Sequence, residues 1–195
     1  MLASAPHAQA ALLAPLEAII GPEPPDAPSL PWLRKTIAAA QWRAGCGALS
    51  TIPLAQRLAT AKEWIGLYNR HRPLSASLDA RERGHADVLP LLAAQMLLPR
   101  PVADWFASSA GGVSVWPFKP LIAAALSLRM ALDAAPHNFQ LKLCLLHTYL
   151  CLGAPAAALE TYRSCDVKQI QQESFSYLAL PALSQIGHLN DVLTY

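Results

Sequence analysis

Cys144, His147 and Cys151 fall at i, i+3 and i+7, so a helix through them carries three soft metal ligands on one face. A fourth ligand is missing, and a cysteine on an apolar helix face also serves as a small hydrophobic group, so no metal centre is expected. Cys46 and Cys165 complete the cysteines without forming a CxxC pair. This indicates neither a zinc framework nor a disulfide framework and fits a reducing compartment. His137 and His188 stand at expected helix starts, where capping or solvent accounts for them. Ser164 with Asp166, and Ser108 with Ser109, lack a general base at an activating spacing. Gly111-Gly112 follows no strand and forms no phosphate loop. No catalytic, cofactor-binding or metal-ligating residue is expected.

The polar stretch that packing explains least runs from Asp166 to Ser174, DVKQIQQES, and opens a helix with amides on several faces. It reads either as a solvated first turn or as a contact edge. In the second reading Lys168, Gln169, Gln171 and Gln172 offer long donors and acceptors to a partner, while Phe175 and Tyr177 belong to the core.

These side chains must be positioned by helices. Phe139, Leu143, Leu146 and Leu150 recur at spacings of four, three and four, which predicts an amphipathic helix with that stripe inward, begun by Pro136 to Asn138. Gly153-Ala154-Pro155 ends one helix and starts another within three residues. The second helix turns Ala158, Leu159 and Tyr162 toward the first, exposes Glu160 and Arg163, and is interrupted at Ser164 to Asp166. Leu145, Tyr149, Gly153, Ala158 and Tyr162 follow the tetratricopeptide (TPR) pattern, whose period is about 34 residues. One period earlier stand Ala124 and Leu128, followed by Ala131 and Pro136; one period later stand Gly187 and Val192. Lys142 at the usual tryptophan position and Leu146 at a usually small one make the array degenerate.

Upstream, residues 2–20 read as a helix punctured by prolines, and Gly21 to Pro31 as a proline-rich connector. Trp32 to Ala44 is predicted helical with Leu33, Ile37 and Ala40 inward, and Leu54 to His71 with a stripe of Leu58, Ala61, Trp64, Ile65 and Tyr68. A loop follows from Pro73 to Asp79, then a helix over Glu82 to Leu98 that Pro90 would kink. Asp104 to Lys119 reads as a loop or interrupted helix. Further helices are expected from Pro120 to Ala135, from Gln169 to Ile186, and from Leu189 onward.

The expected fold is all-α, a TPR-like α-solenoid of antiparallel hairpins whose last helix is cut short at Tyr195. Its expected divisions are N-terminal helices with the connector (1–53), a helical region preceding the repeats (54–116), and the repeats (117–195). With 195 residues, 53% hydrophobic and 14% charged, the chain can bury a core. A net charge of +2 without a basic run makes direct nucleic-acid binding unexpected. The apolar runs fall short of the roughly 20 residues a membrane span needs. The N-terminal stretch lacks the basic residues of a targeting peptide before Arg34.

Pro136 to Leu178, PHNFQLKLCLLHTYLCLGAPAAALETYRSCDVKQIQQESFSYL, resembles the auxiliary, non-catalytic subunit family of the NatB N-terminal acetyltransferase complex. Asn138, Gln140, Lys142, Leu143, Tyr149, Gly153, Asp166, Lys168, Ile170 and Gln171 carry the resemblance. Leu74-Ser75, Leu78-Asp79, Glu82-Arg83 and Leu91 to Gln95 extend it, so that it covers roughly residues 55–195. Cys165 and Glu173-Ser174 depart from the family pattern. The resemblance implies a cytoplasmic scaffold that holds a small acetyl-CoA-dependent catalytic subunit, associates with the ribosome, and supports acetylation of chains beginning Met-Asp, Met-Glu, Met-Asn or Met-Gln. It implies no cofactor for this chain, whose one candidate for the acetyltransferase signature fails because Trp42 stands three residues before Gly45. The alternative is a generic TPR-type adaptor that grips a peptide in its groove.

Overall fold

Gly153 adopts φ 66°, in the left-handed region, and closes one helix in a two-bond cap. Its N–H donates to Leu150 O at 3.0 Å while the N–H of Ala154 donates to Tyr149 O at 2.9 Å, so the last carbonyls of the helix are satisfied by the turn itself. Pro155 then opens the next helix where its missing N–H costs nothing. In this computed structural model the described residues are 18–25, 27–45, 52–79, 81–98, 118–165, 180–185 and 187. Among them every regular element is helical: α1 Leu30–Gly45, α2 Leu54–His71, a 3-10 turn Arg72–Ser75, α3 Val88–Leu97, α4 Phe118–Ala134, α5 Phe139–Cys151, α6 Pro155–Ser164 and α7 Leu180–Gln185. The chain divides into two units, Met1–Met96 and Leu97–Tyr195. No described helix is long and apolar enough to cross a membrane.

In the first unit, α1 buries Leu33, Ile37, Ala39 and Ala40, the expected face with one neighbour added. Helix α2 has the expected bounds but a different face. Its buried set is Ala61, Trp64, Tyr68 and His71, while Leu58 is exposed and Ile65 half-buried. At about 100° per residue, Leu58 lies about a quarter turn from the centre of that stripe. Including His71 as a buried residue moves the centre, and a histidine is not read as apolar.

The helix expected from Glu82 begins only at Val88. Asp87, buried at its threshold, accepts a hydrogen bond from Gly84 N at 3.0 Å, which holds residues 84–87 in a turn. A side chain at Gly84 would place Cβ 2.6 Å from Asp87 Oδ1, so the close approach needs glycine. Pro90 consequently lies in the first turn of α3, where helical N–H groups have no partner, and breaks no bond there. The 3-10 turn Arg72–Ser75 replaces the first part of the expected loop.

In the second unit α4 packs on α5 and α5 on α6, each with its neighbour in sequence. Asn138 caps α5, its side chain accepting from Gln140 N at 3.1 Å and Leu141 N at 3.3 Å. Helix α5 has neighbours on two sides and so buries two strips. Leu146 and Leu150 join Ala158, Leu159, Tyr162 and Leu183 in one apolar cluster with Tyr149 packed against it. Leu141, Leu145 and Thr148 form the second buried strip, about half a turn away. The expected stripe of Phe139, Leu143, Leu146 and Leu150 is therefore corrected at its first half, where Phe139 is exposed and Leu143 only half-buried. Helix α6 ends at Ser164, whose carbonyl accepts from Lys142 Nζ, so Phe139 lies about one turn beyond the end of its neighbour. Leu180–Gln185 is helical and ends near Gly187, which has φ 81° and donates its N–H to Ser184 O at 3.1 Å. Gly187 thus repeats the conformation of Gly153 and the same three-residue bond.

Residues 1–17, 26, 46–51, 80, 99–117, 166–179, 186 and 188–195 lie outside the described residues. So do most of the expected N-terminal helix, the segment from Asp104, the start of the Gln169 helix, the last helix and Val192.

Candidate functional site

The soft side chains of α5 are held in an environment that suppresses their chemistry. Burial pushes the Cys144 thiol from an ordinary 9.0 up to about 12, and partial burial, with Cys144 acting on it as well, takes Cys151 also to about 12. Burial moves His147 the other way, favouring its neutral form. Thiolates are the ligands and nucleophiles, so protonated thiols here act as packing groups. No group of three His, Cys, Asp or Glu able to hold a metal ion occurs among the described residues. Cys165 is likewise raised, by burial first. Ser164 Oγ donates to Thr161 O, and His137 is exposed in the turn before α5.

The residues assigned to the repeat pattern take these places. Ala124, Leu128 and Ala131 are buried on α4, Pro136 is exposed in the α4–α5 turn, Leu145 is buried and Tyr149 half-buried on α5. Ala158 and Tyr162 are buried on α6, and Gly153 and Gly187 are exposed turn residues. Lys168, Gln169, Gln171 and Gln172, the candidate partner contacts, lie outside the described residues. Lys142, which departs from the repeat consensus, donates to the last carbonyl of α6, a cation at a helix C-terminus.

Two features escaped the sequence reading. On α4 the face opposite the buried stripe carries Phe118, Ile122, Leu126 and Met130, one every four residues, at 62%, 48%, 61% and 54% exposure. Beside it Arg129 Nε and Asp133 Oδ1 pair at 3.5 Å. Such a row has the character of surface that proteins bury against other proteins. Its period of four was visible in the sequence, but α4 is apolar on both faces and only packing distinguishes them. The second feature joins residues far apart in sequence: Glu23 meets both Arg70 and His71 at the end of α2.

Among the described residues, the α4 row presents apolar side chains to solvent. The sequence matches the family described as the N-acetyltransferase B complex (NatB) non-catalytic subunit over residues 11–194, which takes in most of the first 50 residues as well. It is 30% identical over 131 residues to the N-terminal acetyltransferase B complex auxiliary subunit of Arabidopsis thaliana, covering 67% of this chain and 11% of that protein. Against the NatB auxiliary subunit of Mus musculus it is 27% identical over 141 residues, covering 72% of this chain and 13% of that protein. The Homo sapiens counterpart is 26% identical over the same length. The chain thus spans between 11% and 13% of the length of these relatives. Its sequence along almost its whole length places the chain in the family of NatB non-catalytic subunits.

Proposed function

We propose that the chain forms part of a scaffold that holds the catalytic acetyltransferase subunit of a NatB complex. The family match over residues 11–194 carries this reading. Consecutive packing of α4, α5 and α6 supports it, since helices stacked on their sequence neighbours are the building unit of extended binding surfaces. In this reading the hairpins form a TPR-like α-solenoid, with the Gly153 and Gly187 turns equivalent and Ala124, Ala158 and Val192 at matching contacts. The complex works in the cytoplasm beside the ribosome and acetylates nascent chains that begin Met-Asp, Met-Glu, Met-Asn or Met-Gln. The chain itself supplies architecture, and acetyl-CoA binds the partner.

Lys168, Gln169, Gln171 and Gln172 are proposed as a contact edge for that partner. The test compares the chain with its quadruple alanine variant for recovery of the catalytic subunit after co-expression. A contact edge predicts weaker recovery with the variant. Equal recovery, with stability unchanged within about 0.5 kcal/mol, makes the segment a solvated first turn. Acetyl transfer to a Met-Asp peptide by the chain alone contradicts the scaffold reading itself.

A further inference from the structure

The connector at residues 19–25 is tied down by side chains from two helices. From α1, Trp32 Nε1 donates to Gly21 O at 3.1 Å and Lys35 Nζ to Ile19 O at 3.5 Å. From the end of α2, Arg70 Nη1 donates to Glu23 Oε2, and His71 Nε2 lies 3.1 Å from Glu23 Oε1. His71 is fully buried, and the Trp32 ring stacks on it at 5.4 Å between centroids and 23° between planes. The Nδ1 of His71 has no hydrogen-bond partner among the described residues. That assigns the proton to Nε2, because a buried N–H at Nδ1 would be left without an acceptor. Glu23 therefore accepts from both donors, one carboxylate oxygen each.

The sequence of the connector makes this economical. Pro22 and Pro24 flank Glu23 and Pro25 follows, so the backbone is stiff and Glu23 is biased toward an extended conformation. Gly21, at φ 69°, supplies the turn that brings the segment round. A stiff segment loses little chain entropy on being fixed, so one charged anchor can decide its position. We propose that Glu23 is the latch of a strap: its carboxylate holds the connector against the ends of α1 and α2, and loss of that charge releases the strap while the helices stay folded.

The test is limited proteolysis of the full chain with an enzyme that cleaves before aspartate. Cleavage before Asp26 reads the strap, and cleavage before Asp87, buried just before α3 in the same unit as the strap, reads the integrity of that unit. Glu23→Ala is expected to speed cleavage at Asp26 by about 5-fold or more, the effect of losing a charged hydrogen bond on a local equilibrium, with the Asp87 rate unchanged. Arg70→Ala should act in the same direction and less, because Arg70 is largely exposed and His71 still engages the carboxylate. Unchanged cleavage at Asp26 in Glu23→Ala overturns the proposal. Equal acceleration at both sites overturns it too, since Glu23 would then support the fold as a whole.

Discussion

Ala158→Leu tests the packing of the α5–α6 hairpin where it is tightest. Ala158 is 1% exposed and shares its cluster with Leu146, Leu150, Leu159, Tyr162 and Leu183. The three carbons added at this buried position must displace α6 from α5 or force these side chains off their rotamers. Overpacking of this kind costs about 1–3 kcal/mol. Alanine and leucine are both good helix formers, so propensity contributes little to the change. For a chain of this size each kcal/mol lowers Tm by about 2–4 °C, which puts the expected drop at about 2–12 °C. The assay is thermal unfolding of the full chain followed by far-UV circular dichroism. Ala156→Leu is the control, being on the same helix but exposed. Equal Tm values for the two variants would refute the reasoning, because the contact could not then be close.

Asn138→Ala removes the two hydrogen bonds that cap α5 and should cost about 1 kcal/mol, read by denaturant unfolding. In the native chain at about pH 8, Cys144 and Cys151 should react with a thiol reagent far more slowly than after unfolding. Moving a thiol from 9.0 to about 12 leaves roughly a thousandfold less thiolate below pH 9. Their folded values are raised, so their contribution to stability is complete below 9.0 and is lost as pH rises toward 12. His147 acts in the opposite sense: its folded value is lowered, so its contribution is complete above the ordinary 6.5 and is lost as pH falls below it. His147→Gln should flatten the stability profile on that acidic side.

Local signals were legible in the sequence and nonlocal ones were not. The Gly153-Ala154-Pro155 step fixed the hairpin because glycine and proline restrict the backbone by themselves, and the ends of α2 and the exposed Glu160 and Arg163 followed from periodicity. Periodicity failed where a helix serves two neighbours, as in α5, since two apolar strips merge into one run of leucines. It also failed at α2, where His71 belongs to the buried face only because Trp32 and Glu23 come to meet it. Asp87 stopped α3 from starting early through a bond to Gly84 that no helix pattern contains. The candidate site was least legible: the family resemblance pointed to a partner, but the exposed row on α4 becomes distinguishable from its buried face only after α5 has covered one of them.

The central claim, that this chain is scaffold for an acetyltransferase, is tested most directly by purifying it in tagged form after co-expression with the NatB catalytic subunit and weighing the product by native mass spectrometry. The account predicts a one-to-one complex that transfers acetyl groups to a Met-Asp peptide only when the catalytic subunit is present. A chain recovered entirely alone, or one that transfers acetyl groups without the partner, would contradict it.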